Sequence, residues 1–150
     1  MIRENLQNTL KEAMKQRDMD TVSAVRLIIA GMKEKDVEAR GKGKDQASED
    51  DLLSMMQTMV KQRTESIQIY TNNNRADLAE KEQKEIDVIM RFLPKQLNKD
   101  DITAIIKQIV AETNASSIKD MGKIMSCLKK QYNGQMDFAL ASSIIKEVLQ

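Results

Sequence analysis

The chain has 150 residues, 31% charged, 41% hydrophobic and 3% aromatic, and its 24 basic and 23 acidic residues leave a net charge of +1. This balance is typical of a globular protein, and it excludes a disordered chain and a global field that would draw the protein onto nucleic acid or acidic membranes. The single cysteine and the lack of histidine exclude an internal disulfide, a structural zinc site and the commonest general base.

The start of the sequence and its apolar runs bear on location. The first six residues include Glu4 and lack the continuous apolar stretch of a signal peptide. No run approaches the ~20 apolar residues of a membrane span. Together with the single cysteine, these features predict a cytoplasmic protein without a metal, a cofactor or a membrane partner.

Apolar residues recur with the period of an α-helix along nearly the whole chain, and alternating β-branched runs are scarce. Two apolar stripes predict the first two helices, which form a hairpin, and Asp20 is predicted to cap the second helix. The stripes contain Ile2, Leu6, Leu10, Ala13 and Met14, and then Val22, Val25, Ile28, Ile29 and Met32.

A polar connector and a capping motif precede the third predicted helix. Residues 41–47 are glycine- and lysine-rich, which predicts a flexible linker, and Ser48 with Asp51 resembles a capping box. The third helix is predicted to end at residues 72–74, three asparagines that tolerate a left-handed cap. The stripes of the third and fourth helices contain Leu52, Met56, Met59, Val60, Ile67 and Tyr70, and then Leu78, Ile86, Ile89 and Met90.

Pro94 marks the predicted boundary between two parts of the chain. Proline lacks a backbone N–H and disfavours helical dihedrals at the residue before it, so the fourth helix is expected to end there. The sequence therefore predicts an all-α fold with two parts. These are an N-terminal four-helix lobe, residues 1–93, and a small three-helix tail domain, residues 97–150.

The tail is predicted to contain three short helices capped by Asn98, Ser117 and Asp137. Turns are expected at residues 114–115 and 133–134, which contain asparagine and glycine. The three apolar stripes contain Ile102, Ile105, Ile106 and Ile109; Met121, Ile124, Met125, Leu128 and Tyr132; and Ala141, Ile144, Ile145 and Val148.

No acid–base pair emerges from the remaining polar residues, and we predict that the chain is not an enzyme. The carboxylates of the fourth helix are expected to form a solvated face with i,i+4 pairing to lysines. They are Glu80, Glu82, Glu85 and Asp87. Most of the 11 methionines fall on apolar stripes, which favours core packing over an adaptable binding groove.

Cys127 is predicted to be a small packing residue, because it lies about 100° from the middle of the apolar stripe on its helix. The alternative is a reactive thiol. Activation of that thiol would depend on Lys123 or Lys130, each about one turn away.

Three lysines form a pattern on the helix predicted from Ser117 to about Gln131. Lys119, Lys123 and Lys130 fall within about 40° of one another, opposite the apolar stripe, and span roughly 16 Å. Lysines aligned in this way can meet successive phosphates of a nucleic acid. The alternative is an ordinary solvated face, since the sequence has few aromatic residues to stack on bases.

Four motifs, in chain order, resemble the signature series of the GatB/YqeY family. They are residues 61–67 (KQRTESI), 74–79 (NRADLA), 92–97 (FLPKQL) and 115–125 (ASSIKDMGKIM). The resemblance implies a four-helix lobe followed by the helical tail domain that also ends the B subunit of the tRNA-dependent amidotransferase. That tail is associated with holding tRNA, whereas the amidotransferase chemistry belongs to a cradle domain that nothing here resembles.

The resemblance therefore implies a non-catalytic tRNA-binding or tRNA-enzyme accessory protein. The implied partners are tRNA and an aminoacyl-tRNA synthetase or an amidotransferase, since a similar appendage is fused to some glutaminyl-tRNA synthetases. Two alternatives stay open: a protein–protein adaptor that uses the long second and third helices, and an accessory component of a glutamine-dependent amidotransferase complex.

The sequence departs from the family pattern in its final loop. The family usually has Gly-Arg/Lys-Ala-Asp-Gly-Lys there, whereas residues 134–139 read Gly-Gln-Met-Asp-Phe-Ala. Both basic residues and the second glycine are absent, which predicts that Phe138 packs or meets a partner instead of supporting RNA contact through this loop.

Overall fold

The structure, a computed structural model, describes all 150 residues and contains seven α-helices and one turn of 3₁₀ helix. The predicted all-α fold is confirmed. The helices are α1 (Ile2–Lys15), α2 (Met19–Gly41), α3 (Glu49–Asn72), α4 (Ala76–Met90), α5 (Lys99–Thr113), α6 (Met121–Tyr132) and α7 (Phe138–Leu149), with the 3₁₀ turn at Ile118–Asp120. The chain folds as two compact units, Met1–Pro94 and Lys95–Gln150.

The core of the first unit is formed by α1 to α4, with α3 packed along α4 and α2 packed against the other three helices. Its fully buried side chains include Leu6, Ile28, Leu52, Met56 and Ile89. These residues belong to the predicted stripes, so helical periodicity identified the buried face of each helix.

Two methionines assigned to those stripes are exposed, Met14 at 53% and Met90 at 37%. At 100° per residue, Met14 lies about 100° past Ala13 and falls at the edge of its stripe. The buried face of α4 is centred on Ile89 and includes Val88. Met90 therefore lies outside that face, and both assignments to the core were wrong.

The caps of the first unit are set by short-range hydrogen bonds. The capping box is confirmed, because Ser48 Oγ accepts from Asp51 N–H and Asp51 Oδ2 accepts from Ser48 N–H, both at 3.1 Å. The predicted Asp20 cap was wrong, since α2 begins at Met19 and is capped by Asp18. Hydrogen bonds from the Thr21 hydroxyl and N–H hold the pKa of Asp18 below its usual value.

The connector between α2 and α3 is anchored at its end. Ala47 is 3% exposed, its N–H donates to Asp36 Oδ1 at 2.9 Å, and its carbonyl accepts from Arg3 Nη2 at 2.9 Å. The predicted flexible linker over residues 41–47 is therefore corrected at both ends, because Gly41 is the last residue of α2 and Ala47 belongs to the core of the first unit.

The second unit consists of α5, α6 and α7, with α7 packed against the other two helices. Its capping predictions at Asn98 and Asp137 are confirmed, because each side chain accepts a backbone N–H of the following helix. The predicted turns also occur, with Asn114 at φ 53° and Gly134 at φ 80°. The fully buried core side chains are Ile102, Ile106, Ile124, Leu128, Met136, Ile144 and Ile145.

Candidate nucleic-acid interface

The three predicted lysines lie on two elements and not on one helix. Lys119 lies on the 3₁₀ turn, while Lys123 and Lys130 lie on α6. A 3₁₀ helix turns about 120° per residue instead of 100°, so Lys119 is rotated roughly 40° farther from the other two lysines than a continuous α-helix would place it. The structure keeps Lys123 and Lys130 two turns apart on one helix, roughly 10 Å along its axis.

The break in the helix has a local cause at Asp120. Its Oδ2 accepts the backbone N–H groups of Ser116 at 3.0 Å and Ser117 at 3.4 Å, which tightens the chain before α6. These hydrogen bonds, and to a smaller extent the charge of Lys123, hold the pKa of Asp120 below its usual value. A carboxylate thus lies between Lys119 and Lys123 along the chain.

The opposite side of α6 fixes the direction of the lysines. Ile124 and Leu128 are fully buried, and Met121 and Met125 pack against the same core. Lys123 and Lys130 are exposed on the other side of the helix. Burial of the apolar stripe therefore positions Lys123 and Lys130 opposite it, as the sequence predicted.

No lysine of the second unit lies in an ion pair. All eight ion pairs of the structure lie in the first unit, although the second unit contains eight lysines. None of the ammonium groups of Lys119, Lys123 and Lys130 is therefore within ion-pair distance of a carboxylate, and only Lys123 acts electrostatically on Asp120.

Lys129 is a further basic residue that the sequence reasoning missed. It is exposed in the last turn of α6, next to Lys130. At 100° per residue it lies about 100° from Lys130, which is why an alignment criterion did not include it. A criterion that included every lysine off the apolar stripe of α6 would have identified Lys129. This residue widens the basic face at the end of α6.

The final loop of the second unit serves packing. Met136 is 1% exposed, and Phe138 packs against the second core. The loop backbone is also held, because Gly134 O accepts from Gln96 Nε2 at 2.6 Å and Gln135 O accepts from Leu97 N–H at 2.7 Å. This agrees with the expectation that Phe138 packs where the family pattern has glycine.

The carboxylates of α4 divide into two groups. Glu80 pairs with Lys84 at i,i+4, as predicted. Glu82 and Glu85 were wrongly assigned to the solvated face, because both approach Arg63 of α3, with Arg63 Nε 2.8 Å from Glu85 Oε2. The Arg63 and Glu85 side chains are only 15% and 16% exposed, so this pair joins α3 to α4.

Cys127 is half-buried and packs against the second core, which matches its prediction as a packing residue. No group of three or more histidine, cysteine, aspartate and glutamate side chains is arranged to hold a metal ion. None of the helices combines the length and the apolarity needed to cross a bilayer.

A cleft of about 670 Å³ runs between α2 and α3 in the first unit. Its lining combines polar and charged side chains with apolar residues, among them Leu27, Gly31, Met55 and Met59. A Cβ on Gly31 would lie 3.0 Å from the Met55 sulfur, so glycine allows the close approach of α3 at this point.

These features define a small all-α protein whose ion pairs all lie in its first helical unit and whose second unit presents exposed lysines on α6. The chain belongs to the YqeY family, described as Yqey-like protein, whose profile it matches over residues 3–149. The resemblance inferred from the four motifs is therefore confirmed.

Individual relatives come from yeasts and share one name, "Altered inheritance of mitochondria protein 41, mitochondrial". The Lachancea thermotolerans protein is 33% identical over 115 residues, covering 75% of this chain and 60% of the relative. The Saccharomyces cerevisiae protein is 27% identical over 158 residues, covering 95% of this chain and 80% of the relative. The Candida glabrata protein is 38% identical over 88 residues, covering 59% of this chain and 47% of the relative.

These names contradict the predicted cytoplasmic location, because the relatives are mitochondrial proteins. The cytoplasmic prediction was wrong for a physical reason. The lack of disulfides does not distinguish one compartment without disulfides from another. The helical periodicity of the sequence contains no information about the compartment.

Proposed function

We propose that this chain is a non-catalytic accessory protein that binds tRNA through the lysine face of its second unit, defined by Lys119, Lys123 and Lys130. The observation that carries the proposal is that Lys123 and Lys130 are exposed on one face of α6 and that no lysine of this unit lies in an ion pair, whereas Arg3, Arg63 and Lys84 of the first unit do. Unpaired surface cations bind phosphates by releasing condensed counterions. The resemblance of the sequence motifs to those of the amidotransferase B subunit tail implies tRNA as the polyanion.

The structure refines which lysines matter most. Lys123 and Lys130 share one helix face, whereas Lys119 lies beyond the Asp120 carboxylate. We therefore expect Lys123 and Lys130 to contribute more phosphate affinity than Lys119.

The test is tRNA binding by fluorescence anisotropy across a salt series. Changing Lys119, Lys123 and Lys130 together to Gln should reduce the log–log salt slope by roughly two to three, at nearly one per neutralised phosphate. Glutamine has nearly the helix propensity of lysine, so stability should hardly change.

The control is a triple change of Lys11, Lys61 and Lys81 to Gln, three exposed first-unit lysines without ion pairs. Lys84 is unsuitable for this purpose because it pairs with Asp20 at 3.6 Å and Glu80 at 3.8 Å. Equal losses from the two triple variants, or no tRNA binding by the unmodified protein at low salt, would refute the proposal.

A second candidate function is a protein–protein adaptor, and the cleft between α2 and α3 favours it. The partner element would be an amphipathic helix, because the cleft follows two long helices and its lining combines apolar residues with charges of both signs, such as Glu34, Lys35 and Lys42. Leu27, 44% exposed at the cleft, would then contact the partner.

A partner that survives RNase treatment, is lost with Leu27→Asp and is retained with Val37→Asp would favour the adaptor. Val37 is a matched control because it is 61% exposed on the same helix but does not line the cleft. A partner lost equally from both variants, or lost on RNase treatment, would count against it.

A further inference from the structure

The basic side chains of the second unit are of one kind. All eight are lysine: Lys95, Lys99, Lys107, Lys119, Lys123, Lys129, Lys130 and Lys146. A lysine ammonium is a compact charge on a flexible stem, whereas the fork of arginine makes the paired hydrogen bonds that identify guanine. The face is thus built for phosphate groups, which require charge and not a fixed donor geometry.

The aromatic rings of the second unit are used inside the protein. Tyr132 and Phe138 are half-buried, and both pack against the second core. Recognition of single strands relies on exposed rings that stack on unpaired bases. Packing of both rings therefore favours a ligand whose bases are already stacked on one another.

The exposed side of α6 carries a small side chain between Lys123 and Lys130. Ser126 lies on this side between Lys123 and Lys130, and Gly122, in the first turn of the helix, has open space next to it. A helix whose two lysines are separated by a small residue such as Ser126 can lie close to a shallow surface while the lysines reach outward. The wide, shallow minor groove of an A-form duplex has phosphates along both edges and offers such a surface.

We infer that the lysine face binds the sugar–phosphate backbone of double-helical RNA and does not read base sequence. This inference rests on the proposed function and narrows its ligand to the paired arms of a folded RNA. Selection among RNAs through this face then depends on duplex shape and charge, because each lysine meets a group that every base pair carries.

The test uses the full chain and four RNAs: tRNA, a duplex of about 16 base pairs, a duplex of the same composition in shuffled order, and one of its strands alone. The duplex length is that spanned by known duplex-binding domains. We expect dissociation constants for the two duplexes to agree within about twofold, and the single strand to bind at least about tenfold more weakly.

Two double variants separate charge from base reading. Lys123→Gln with Lys130→Gln should lower the salt slope by about two on both duplexes, whereas Lys123→Arg with Lys130→Arg should keep the wild-type slope. The control is Lys11→Gln with Lys61→Gln in the first unit, which should leave the slope nearly unchanged.

The outcomes distinguish this inference from the proposed function. Tighter or equal binding of the single strand, or a tenfold difference between the duplexes, would overturn the inference while tRNA binding stands. Binding of tRNA without binding of either duplex would also overturn the inference and leave the proposed tRNA binding in place. Failure to bind any of the four RNAs at low salt would refute both.

Discussion

The Arg3 guanidinium and the Asp36 carboxylate form a two-point ion pair that joins α1 to α2, with Nη1–Oδ2 at 2.9 Å and Nη2–Oδ1 at 2.6 Å. Both side chains are partly buried, at 27% and 17% exposure. Arg3 also donates to the Ala47 carbonyl, and Asp36 accepts from the Ala47 N–H. The ion pair therefore connects α1, α2 and the connector between α2 and α3.

Replacing this carboxylate should destabilise the first unit. Asp36→Asn keeps the shape but leaves Arg3 without its counter-charge, and we expect the free energy of unfolding to fall by about 2 kcal/mol. Urea denaturation followed by circular dichroism measures the change. Glu38→Gln is the control, because its pair with Lys35 is exposed and should matter by less than about 0.5 kcal/mol. Equal effects of the two changes would contradict this assignment.

The same pair makes stability depend on acidity. Hydrogen bonds from Arg3 lower the pKa of Asp36 from 3.8 to about 2. Its contribution is therefore fully present above about pH 4 and is lost as the pH falls from about 4 to about 2. Stability curves at a series of pH values should show wild type and Asp36→Asn converging over this interval. Parallel curves would show that the carboxylate has the same pKa in the folded and unfolded chains.

Arg63 should be the main polar support between α3 and α4. Besides its contact with Glu85, its Nη1 donates to Met59 O at 3.2 Å. Arg63→Ala leaves Glu85 half-buried and unpaired, and we expect a loss of about 3 kcal/mol. Arg75→Ala removes an exposed pair with Asp77 and should cost about 0.5 kcal/mol or less. A thermal melt in which Arg75→Ala is the less stable variant would overturn the ranking.

Two glycines provide opposite expectations for one added methyl group. Gly122 lies in the first turn of α6 with open space around it, so Gly122→Ala should stabilise the second unit by about 0.5–1 kcal/mol. Gly43 has φ +82°, so Gly43→Ala should destabilise the first unit by about 1 kcal/mol although its space is equally open. Differential scanning calorimetry of both variants tests the pair, and a shift of the same sign in both would contradict it.

The features that sequence reasoning predicted are local ones. Helical stripes, the box of Ser48 with Asp51 and the caps at Asn98 and Asp137 depend on residues within a turn of one another, so the chain specifies them before it folds. The exposure of Lys123 and Lys130 followed for the same reason, because burial of one side of an amphipathic helix exposes the other.

The features that sequence reasoning missed depend on contacts distant along the chain or on small backbone changes. Arg63 meets Glu85 only when α3 packs along α4, so periodicity could not separate Glu85 from its solvated neighbours. The 3₁₀ turn depends on which backbone N–H groups the Asp120 carboxylate accepts, a choice that moves Lys119 without altering the sequence pattern.

The buried Met136 has a consequence for engineering RNA affinity into this chain. Transplanting the whole basic loop of the family pattern would replace Met136 by alanine and Phe138 by glycine, and would remove two side chains from the second core. A cavity left by a fully buried methionine costs about 2–5 kcal/mol, a large part of what so small a unit has. Lysine or arginine is better introduced at Gln135, which is partly buried, and at Ala139, which is exposed. These two changes add positive charge to the loop and leave the side chains of Met136 and Phe138 in the core.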